Sequence, residues 1–253
     1  MTESVLVTGG GDSVGRVIAE RCRARGDRVH ICDVRPDALA ATLAANPGMT
    51  GTLADVGDYD AVRKLFEDAA ASVGDLTMLV NNVGVAGPRA AIEDITLKDW
   101  EDCLRINVSG MFFCIQRAIP MMKRRGGGGI VNFSTGSTRT RLPQRLPYVV
   151  SKFGVEGLTL NVARELGPFG IRCNAILPGM INNARMQGIV AAKAKETGRT
   201  VAEVESEYLK HISMHVQIEP AELADAVLFL GSPAAKKITG ELIAVSGNLE
   251  WEE

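Results

Sequence analysis

The chain has 253 residues, 46% of them hydrophobic and 23% charged, with a formal net charge of −2. Such a length and composition are those expected of a soluble globular α/β protein with one continuous core. The near-neutral charge leaves no electrostatic footprint for nucleic acid or an anionic membrane, and the apolar runs are too short to span a bilayer.

The opening stretch MTESVLV lacks the basic n-region of a secretory signal, so a cytoplasmic location is the expectation. Cys22, Cys32, Cys103, Cys114 and Cys173 are dispersed with no C-x-x-C pair. They read as buried free thiols rather than as disulfides or a structural zinc site.

In chain order, SVLVTG is a β-branched run ending in glycines. Val14, Val17, Ile18 and Cys22 then recur at helical spacing, and Gly26 stops that helix. RVHICDV is a second strand, followed by a helix through Ala38 to Ala45 that ends at NPG. TGTLADV is a third strand, Val62, Leu65, Phe66 and Ala69 mark a third helix, and LTMLVNN is a fourth strand.

After the loop VGVAGPRA, a long helix is predicted from about Leu97 to Arg124, with Pro120 as the point where it could kink. The strand IVNFST follows, then a helix from about Tyr148 to Leu166, then the strand IRCNAIL. Residues 181–216 read as irregular helices, longer than an ordinary connection and therefore a candidate substrate lid. A helix from Glu219 to Leu230 and the strand GELIAVSG complete the pattern. Strands that are continuous apolar runs, alternating with helices, predict a buried parallel sheet covered on both faces. No repeat or linker composition divides the chain, so residues 1–253 read as one domain.

Two regions carry chemistry. The turn VLVTGGGDSVGR lies between the first strand and the first helix. Glycines there permit close backbone approach to a pyrophosphate, and the helix N-terminus offers free N–H groups. Asp33 at the end of the second strand suits the two hydroxyls of an adenosine ribose and repels a 2′-phosphate, and Asp12 stands in the turn without a basic neighbour. Both favour NAD over NADP, with Arg35 as the opposing feature. Downstream, Tyr148 and Lys152 are four residues apart on a predicted helix and so share a face. An ammonium beside a phenol stabilises phenolate, the form a general base needs. No spacing of His, Cys, Asp or Glu is persuasive for a metal, although His211 and His215 are four apart.

The ordered set TGGGDSVG, ADV, NNVG, Ile106–Asn107, YVVSK and LPG resembles the short-chain dehydrogenase/reductase family in its common single-domain branch, over essentially the whole chain. The resemblance implies a Rossmann-type doubly wound parallel sheet of about seven strands with helices on both faces. It implies an oxidoreductase that interconverts an alcohol and a ketone or aldehyde by hydride transfer, with NAD as cofactor and NADP less favoured. Carried onto this chain, Tyr148 is the general acid/base, Lys152 binds the nicotinamide ribose and tunes the tyrosine, and Asn107 holds a water in a proton relay. Gly9, Asp12, Ser13, Val14 and Gly15 line the pyrophosphate, and Asp33 holds the adenosine ribose. Asp55 and Val56 flank the adenine, while Asn82 and Gly84 shape the cleft. Pro178, Gly179, Ile181 and Asn183 border the nicotinamide.

The family's hydroxyl partner lies thirteen residues before the tyrosine, which is Thr135 here rather than serine. Thr135 keeps the donor and acceptors of a hydroxyl but adds a methyl group. Ser137 is the fallback, since strand alternation turns Ser134 to the other side. Other departures are Ser13 for the turn's second glycine, Val83 for alanine, and Asn183 for threonine.

The loop before Tyr148 carries Ser137, Arg139, Arg141, Gln144 and Arg145, and the lid candidate carries Arg185, Lys193, Lys195, His211 and His215. An anionic substrate is one expectation from these cations; solvated surface charge is the other. Two other functions stay open at this point. One is an NADP-dependent ketoacyl or sugar reductase; the other is a weakly catalytic NAD-binding sensor. The resemblance also implies a homotetramer or homodimer built through the long helices.

Overall fold

A computed structural model describes residues 2–140 and 142–249. Seven parallel strands form one sheet: β1 (Ser4–Thr8), β2 (Arg28–Asp33), β3 (Thr50–Leu53), β4 (Met78–Asn81), β5 (Gly128–Phe133), β6 (Ile171–Pro178) and β7 (Leu242–Val245). Their order is β3-β2-β1-β4-β5-β6-β7. The chain therefore winds outward from β1 in one direction, then returns and winds outward from β4 in the other. This reversal opens a crevice at the carboxyl ends of β1 and β4, where a doubly wound sheet binds its ligand.

Strand alternation assigns the two faces. Val5, Val7, Val29, Ile31, Val131 and Phe133 pack with α1 (Ser13–Ala24), α2 (Pro36–Ala45) and α10 (Pro220–Gly231). Leu6, Leu79, Ile130 and Cys173 pack with α3 (Tyr59–Val73), α5 (Gly110–Arg124) and α7 (Leu146–Leu166). All five cysteines are buried and free. Burial pushes the thiols of Cys22, Cys32 and Cys173 up to about 12, which leaves them without thiolate chemistry near neutrality. No helix among the described residues is long and apolar enough to cross a membrane.

Two regions differ from expectation. The predicted helix over 97–124 is present, but its irregularity is not at Pro120, which lies within α5. The change comes earlier, in a π-helical turn over Arg105–Ser109 between α4 (Leu97–Leu104) and α5. Such wide turns are frequent at functional sites. The 181–216 segment is also more regular than its sequence suggests. It forms α8 (Ala184–Thr197), with Asn183 as N-cap and Gly198 left-handed after its end, and α9 (Val201–Lys210), opened by a Thr200–Glu203 capping box. Met180, Val190, Ala194, Val204 and Ile212 bury a small core there, separate from the two cores of the sheet.

Candidate active site

The turn from β1 into α1 begins the crevice. A Cβ on Gly15 would lie 2.0 Å from the Gly9 carbonyl oxygen, so only glycine lets α1 start this close to the strand end. Asn82 braces the turn by donating from Nδ2 to the carbonyls of Thr8 and Gly9 at 3.1 and 3.3 Å. Asp12 caps α1, accepting from the Ser13 N–H at 2.7 Å, and Val14 is buried behind it. The remaining first-turn N–H groups have no intrahelical acceptor, which suits an anion at the mouth of the turn.

Asp33 is buried, and its carboxylate accepts from the Gly11 N–H at 3.1 Å and the Arg35 N–H at 3.0 Å. The Arg35 guanidinium reaches across the turn to Asp12 at 2.9 Å and lies 3.8 Å from Asp33. The hydrogen bond from Arg35 holds the Asp12 carboxyl below the usual carboxylate range. Two carboxylates thus surround one guanidinium. Asp55 accepts from the Gly57 N–H at 2.8 Å and pairs with Arg105 of the π-helical turn at 3.0 Å. Val56 is buried beside that turn, against Gly110.

The other half of the crevice is built on β5 and α7. Ile130, Asn132 and Ser134 face α7; Ser134 donates to Glu156 at 2.9 Å and is therefore committed there. Thr135 has the opposite parity. Its Oγ1 accepts from the Ser137 N–H at 3.2 Å and donates to Ser137 Oγ at 3.3 Å, so the two hydroxyls form one pair. α7 is held to the sheet by a buried polar chain: Asn81 donates to Asn132 at 2.9 Å, and Asn132 to Thr159 at 3.0 Å.

Tyr148 and Lys152 occupy the first two turns of α7. Lys152 Nζ lies 5.8 Å from the Tyr148 ring centroid, and the Arg145 guanidinium 5.0 Å from it. Lys152 donates to the Phe133 carbonyl at 2.7 Å, leaving two of its three N–H donors for a ligand. Burial, and next the charge of Arg185, lower the Lys152 pKa to about 8. A Cβ on Gly84 would come within 3.0 Å of Lys152 Nζ and 3.5 Å of Asn107 Oδ1, so the two groups flank that glycine. Asn107 is fully buried. Its Oδ1 accepts from the Val85 N–H at 2.8 Å, and its Nδ2 donates to the Val85 carbonyl at 3.0 Å and to Ser151 Oγ at 2.9 Å. Ser151 passes the chain on to the Tyr148 carbonyl at 2.7 Å.

The remaining expected residues divide. Gly179 packs against Ser246, just past the end of β7, and the Pro178 carbonyl accepts from the Gly136 N–H at 2.8 Å. Ile181 bridges to Ile218. Asn183, expected at the nicotinamide, spends its Oδ1 capping α8 on the Met186 N–H at 2.9 Å and points its Nδ2 to Ser13 Oγ at 3.4 Å. Gln144 Oε1 accepts from Arg89 Nε at 3.4 Å, and Arg185 acts on the charge of Arg145 beside Tyr148. Arg139 is exposed on α6 (Ser137–Thr140) and is not among the charges acting on Arg145 or Lys152. Arg141 lies outside the described residues. Sequence reasoning missed Arg89, Arg105, Ser151 and Glu156, because each works through a partner that only the folded chain supplies.

A family model described as enoyl-(acyl carrier protein) reductase matches residues 9–249. The chain belongs to the short-chain dehydrogenase/reductase family. Within that family it is 34% identical over 251 residues to a probable galactose dehydrogenase of Rhizobium meliloti (strain 1021), covering 97% of this chain and 94% of the relative. It is 34% identical over 246 residues to D-threitol dehydrogenase of Mycolicibacterium smegmatis (strain ATCC 700084 / mc(2)155), covering 96% and 90%. Among solved structures, a variant actinorhodin polyketide ketoreductase with NADPH superposes with a TM-score of 0.92 at 27% identity, covering 98% and 97%. An NAD+-bound xylitol dehydrogenase superposes with a TM-score of 0.89 at 26% identity, covering 96% and 97%. Short-chain dehydrogenase/reductases thus present both cofactors on this fold, and the choice rests on local residues.

The Lys152 ammonium has a measurable signature. Between pH 8 and 10.5 the unfolded chain retains a lysine proton that the folded chain has released, so stability rises with pH across that window. At 1.36 kcal/mol per pH unit the full difference is about 3 kcal/mol. The unfolding free energy of the wild type minus that of Lys152→Met is expected to rise by an amount of this order from pH 8 to 10.5 in urea titrations. A flat difference would show an unperturbed lysine.

Proposed function

We propose that the chain is an NAD-dependent oxidoreductase interconverting a small-molecule alcohol and its ketone or aldehyde. The observation that carries this reading is the placement of Tyr148 and buried Lys152 on one helix face, beside the crevice that the glycine turn opens. When bound, the nicotinamide cofactor supplies or accepts the hydride. Tyr148 exchanges a proton with the substrate oxygen, and the Arg145 and Lys152 cations lie beside its ring. Thr135, paired with Ser137, orients that oxygen through its hydroxyl. Lys152 uses its two open donors on the nicotinamide ribose, and Asn107 fixes the first turns of α7 through Ser151 while keeping a lone pair for a relay water. The 181–216 segment acts as the lid, since Asn183 at its start already reaches the glycine turn.

The charge at the ribose end supports NAD. A 2′-phosphate would meet Asp12 and Asp33, and the arginine that could receive it is already held by both. A homo-oligomer is proposed as well: Leu146, Val150, Phe153 and Leu160 form an exposed apolar stripe at helical spacing on α7, with Phe112 exposed on α5. The expected location is cytoplasmic.

Three measurements bear on these readings. Tyr148→Phe is expected to lower turnover at least a thousandfold while changing the NADH dissociation constant less than threefold in isothermal titration; retained turnover would refute the assignment. Calorimetry should find NADH bound at least tenfold more tightly than NADPH, with the ratio falling in Asp33→Ser, and an equal affinity would reverse the cofactor reading. Light scattering should give a dimer or tetramer that Phe153→Glu shifts toward monomer, whereas a monomeric wild type would exclude the apolar stripe as an interface.

A further inference from the structure

The cleft beside Tyr148 holds more positive charge than the protein neutralises. Arg145 is the N-cap residue of α7, half-buried, with its guanidinium 5.0 Å from the Tyr148 ring centroid. Arg89 comes from the loop after β4. Its Nε donates to Gln144 Oε1 at 3.4 Å, and the Ala90 N–H donates to the Gln144 carbonyl at 3.2 Å, which stitches this loop to the one that carries Arg145. Gln144 holds that junction at a left-handed φ of +60°, a conformation that costs a non-glycine residue energy. Arg185, in the first turn of α8, acts electrostatically on both Arg145 and Lys152.

Several arginines elsewhere are paired with carboxylates: Arg25 with Asp27, Arg35 with Asp12, Arg105 with Asp55, Arg124 with Asp75. Among the described residues, no carboxylate lies within ion-pair distance of Arg89, Arg145 or Arg185. Burial pushes the Arg145 pKa down; Tyr148 opposes that shift, and Arg185 and Arg89 add to it. An arginine does not shed its proton to relieve this. A half-buried guanidinium that feels the charge of two exposed arginines is stabilised instead by an incoming anion, and carboxylates and phosphates match its fork of donors.

We infer that Arg145, flanked by Arg89 and Arg185, receives a carboxylate at one end of the substrate while Tyr148 addresses the hydroxyl at the other, so that the substrate is a hydroxy acid and the product an oxo acid. This rests on the dehydrogenase reading above and narrows it. The step balances as hydroxy acid plus NAD+ giving oxo acid, NADH and a proton: two electrons and one hydrogen leave as hydride, and the hydroxyl proton passes to Tyr148. It sets the chain apart from relatives named for galactose and threitol, which carry no charge.

The test compares acids with matched neutral polyols or diols: gluconate with sorbitol, galactonate with galactitol, and 3-hydroxybutyrate with 1,3-butanediol. Each is read by NADH-coupled turnover and by calorimetry on the NADH-saturated protein. At least one acid is expected to exceed its neutral partner tenfold in kcat/KM and in binding. Arg145→Gln should reduce that ratio at least tenfold through KM, Arg145→Lys should restore part of it, and Arg164→Gln, an exposed arginine later on α7, should leave it unchanged. If the cofactor phosphates were the anion instead, Arg145→Gln would weaken NADH tenfold and spare the acid preference, which overturns the inference. Equal handling of every pair overturns it too. Because the calorimetric arm needs no turnover, loss of the dehydrogenase reading alone would still leave acid binding at Arg145 measurable.

Discussion

Lys152 Nζ, buried where β5 ends and donating to the Phe133 carbonyl at 2.7 Å, sets the constraint around which the crevice is built. A buried ammonium is costly unless its hydrogen bonds are met. One acceptor comes from the last residue of a strand, so α7 must cross the carboxyl end of the sheet at a fixed height. The chain from Asn81 through Asn132 to Thr159 pins that height two turns further along the helix. The wall opposite must stay low, which is why the residue facing Nζ is Gly84: a Cβ there would lie 3.0 Å from the nitrogen. The cost of burial is thereby converted into position, and among the described residues the ammonium has one protein acceptor for its three donors.

Charge is sorted along the cleft in the same manner. At the end proposed for the adenosine ribose, Asp12 and Asp33 outnumber Arg35. At the end proposed for the substrate, Arg89, Arg145, Arg185 and Lys152 stand without a carboxylate among the groups acting on Arg145 or Lys152. The net charge of −2 conceals this, because net charge averages over a surface whereas a ligand meets only one end. A cleft acidic at one end and basic at the other orients an asymmetric pair of ligands before any contact forms.

Much of this was legible in the residues, and the reason is local. Alternating apolar runs and helical spacing need no tertiary information, so the order of strands and helices could be read directly. The glycine turn, Tyr148 and Lys152 were legible because their spacing is itself the chemistry. What could not be read depends on approach between distant segments. The π-helical turn at Arg105–Ser109 carries no signal as strong as Pro120, although Pro120 leaves α5 unbroken. Asp55 looked available until Arg105 folded onto it. The N-cap role of Asn183 was likewise not legible beforehand: a side chain that opens a helix is drawn to that helix's free N–H groups through its Oδ1.

Two of the departures from the family pattern, Ser13 and Thr135, carry different weights. Ser13 stands in the turn at a φ of +48°, which glycine adopts at no steric cost and serine does not. Its hydroxyl meets Asn183 Nδ2 at 3.4 Å, so the strained residue of the turn also touches the 181–216 segment. A glycine would relax the turn but remove that contact. Thr135 carries no comparable strain: its hydroxyl is paired with Ser137, and its carbonyl accepts from Thr138 Oγ1 at 2.9 Å. Its extra methyl group acts by narrowing the rotamers open to the hydroxyl. The first departure therefore bears on how the turn meets the start of the 181–216 segment, and the second on the direction in which one hydroxyl points.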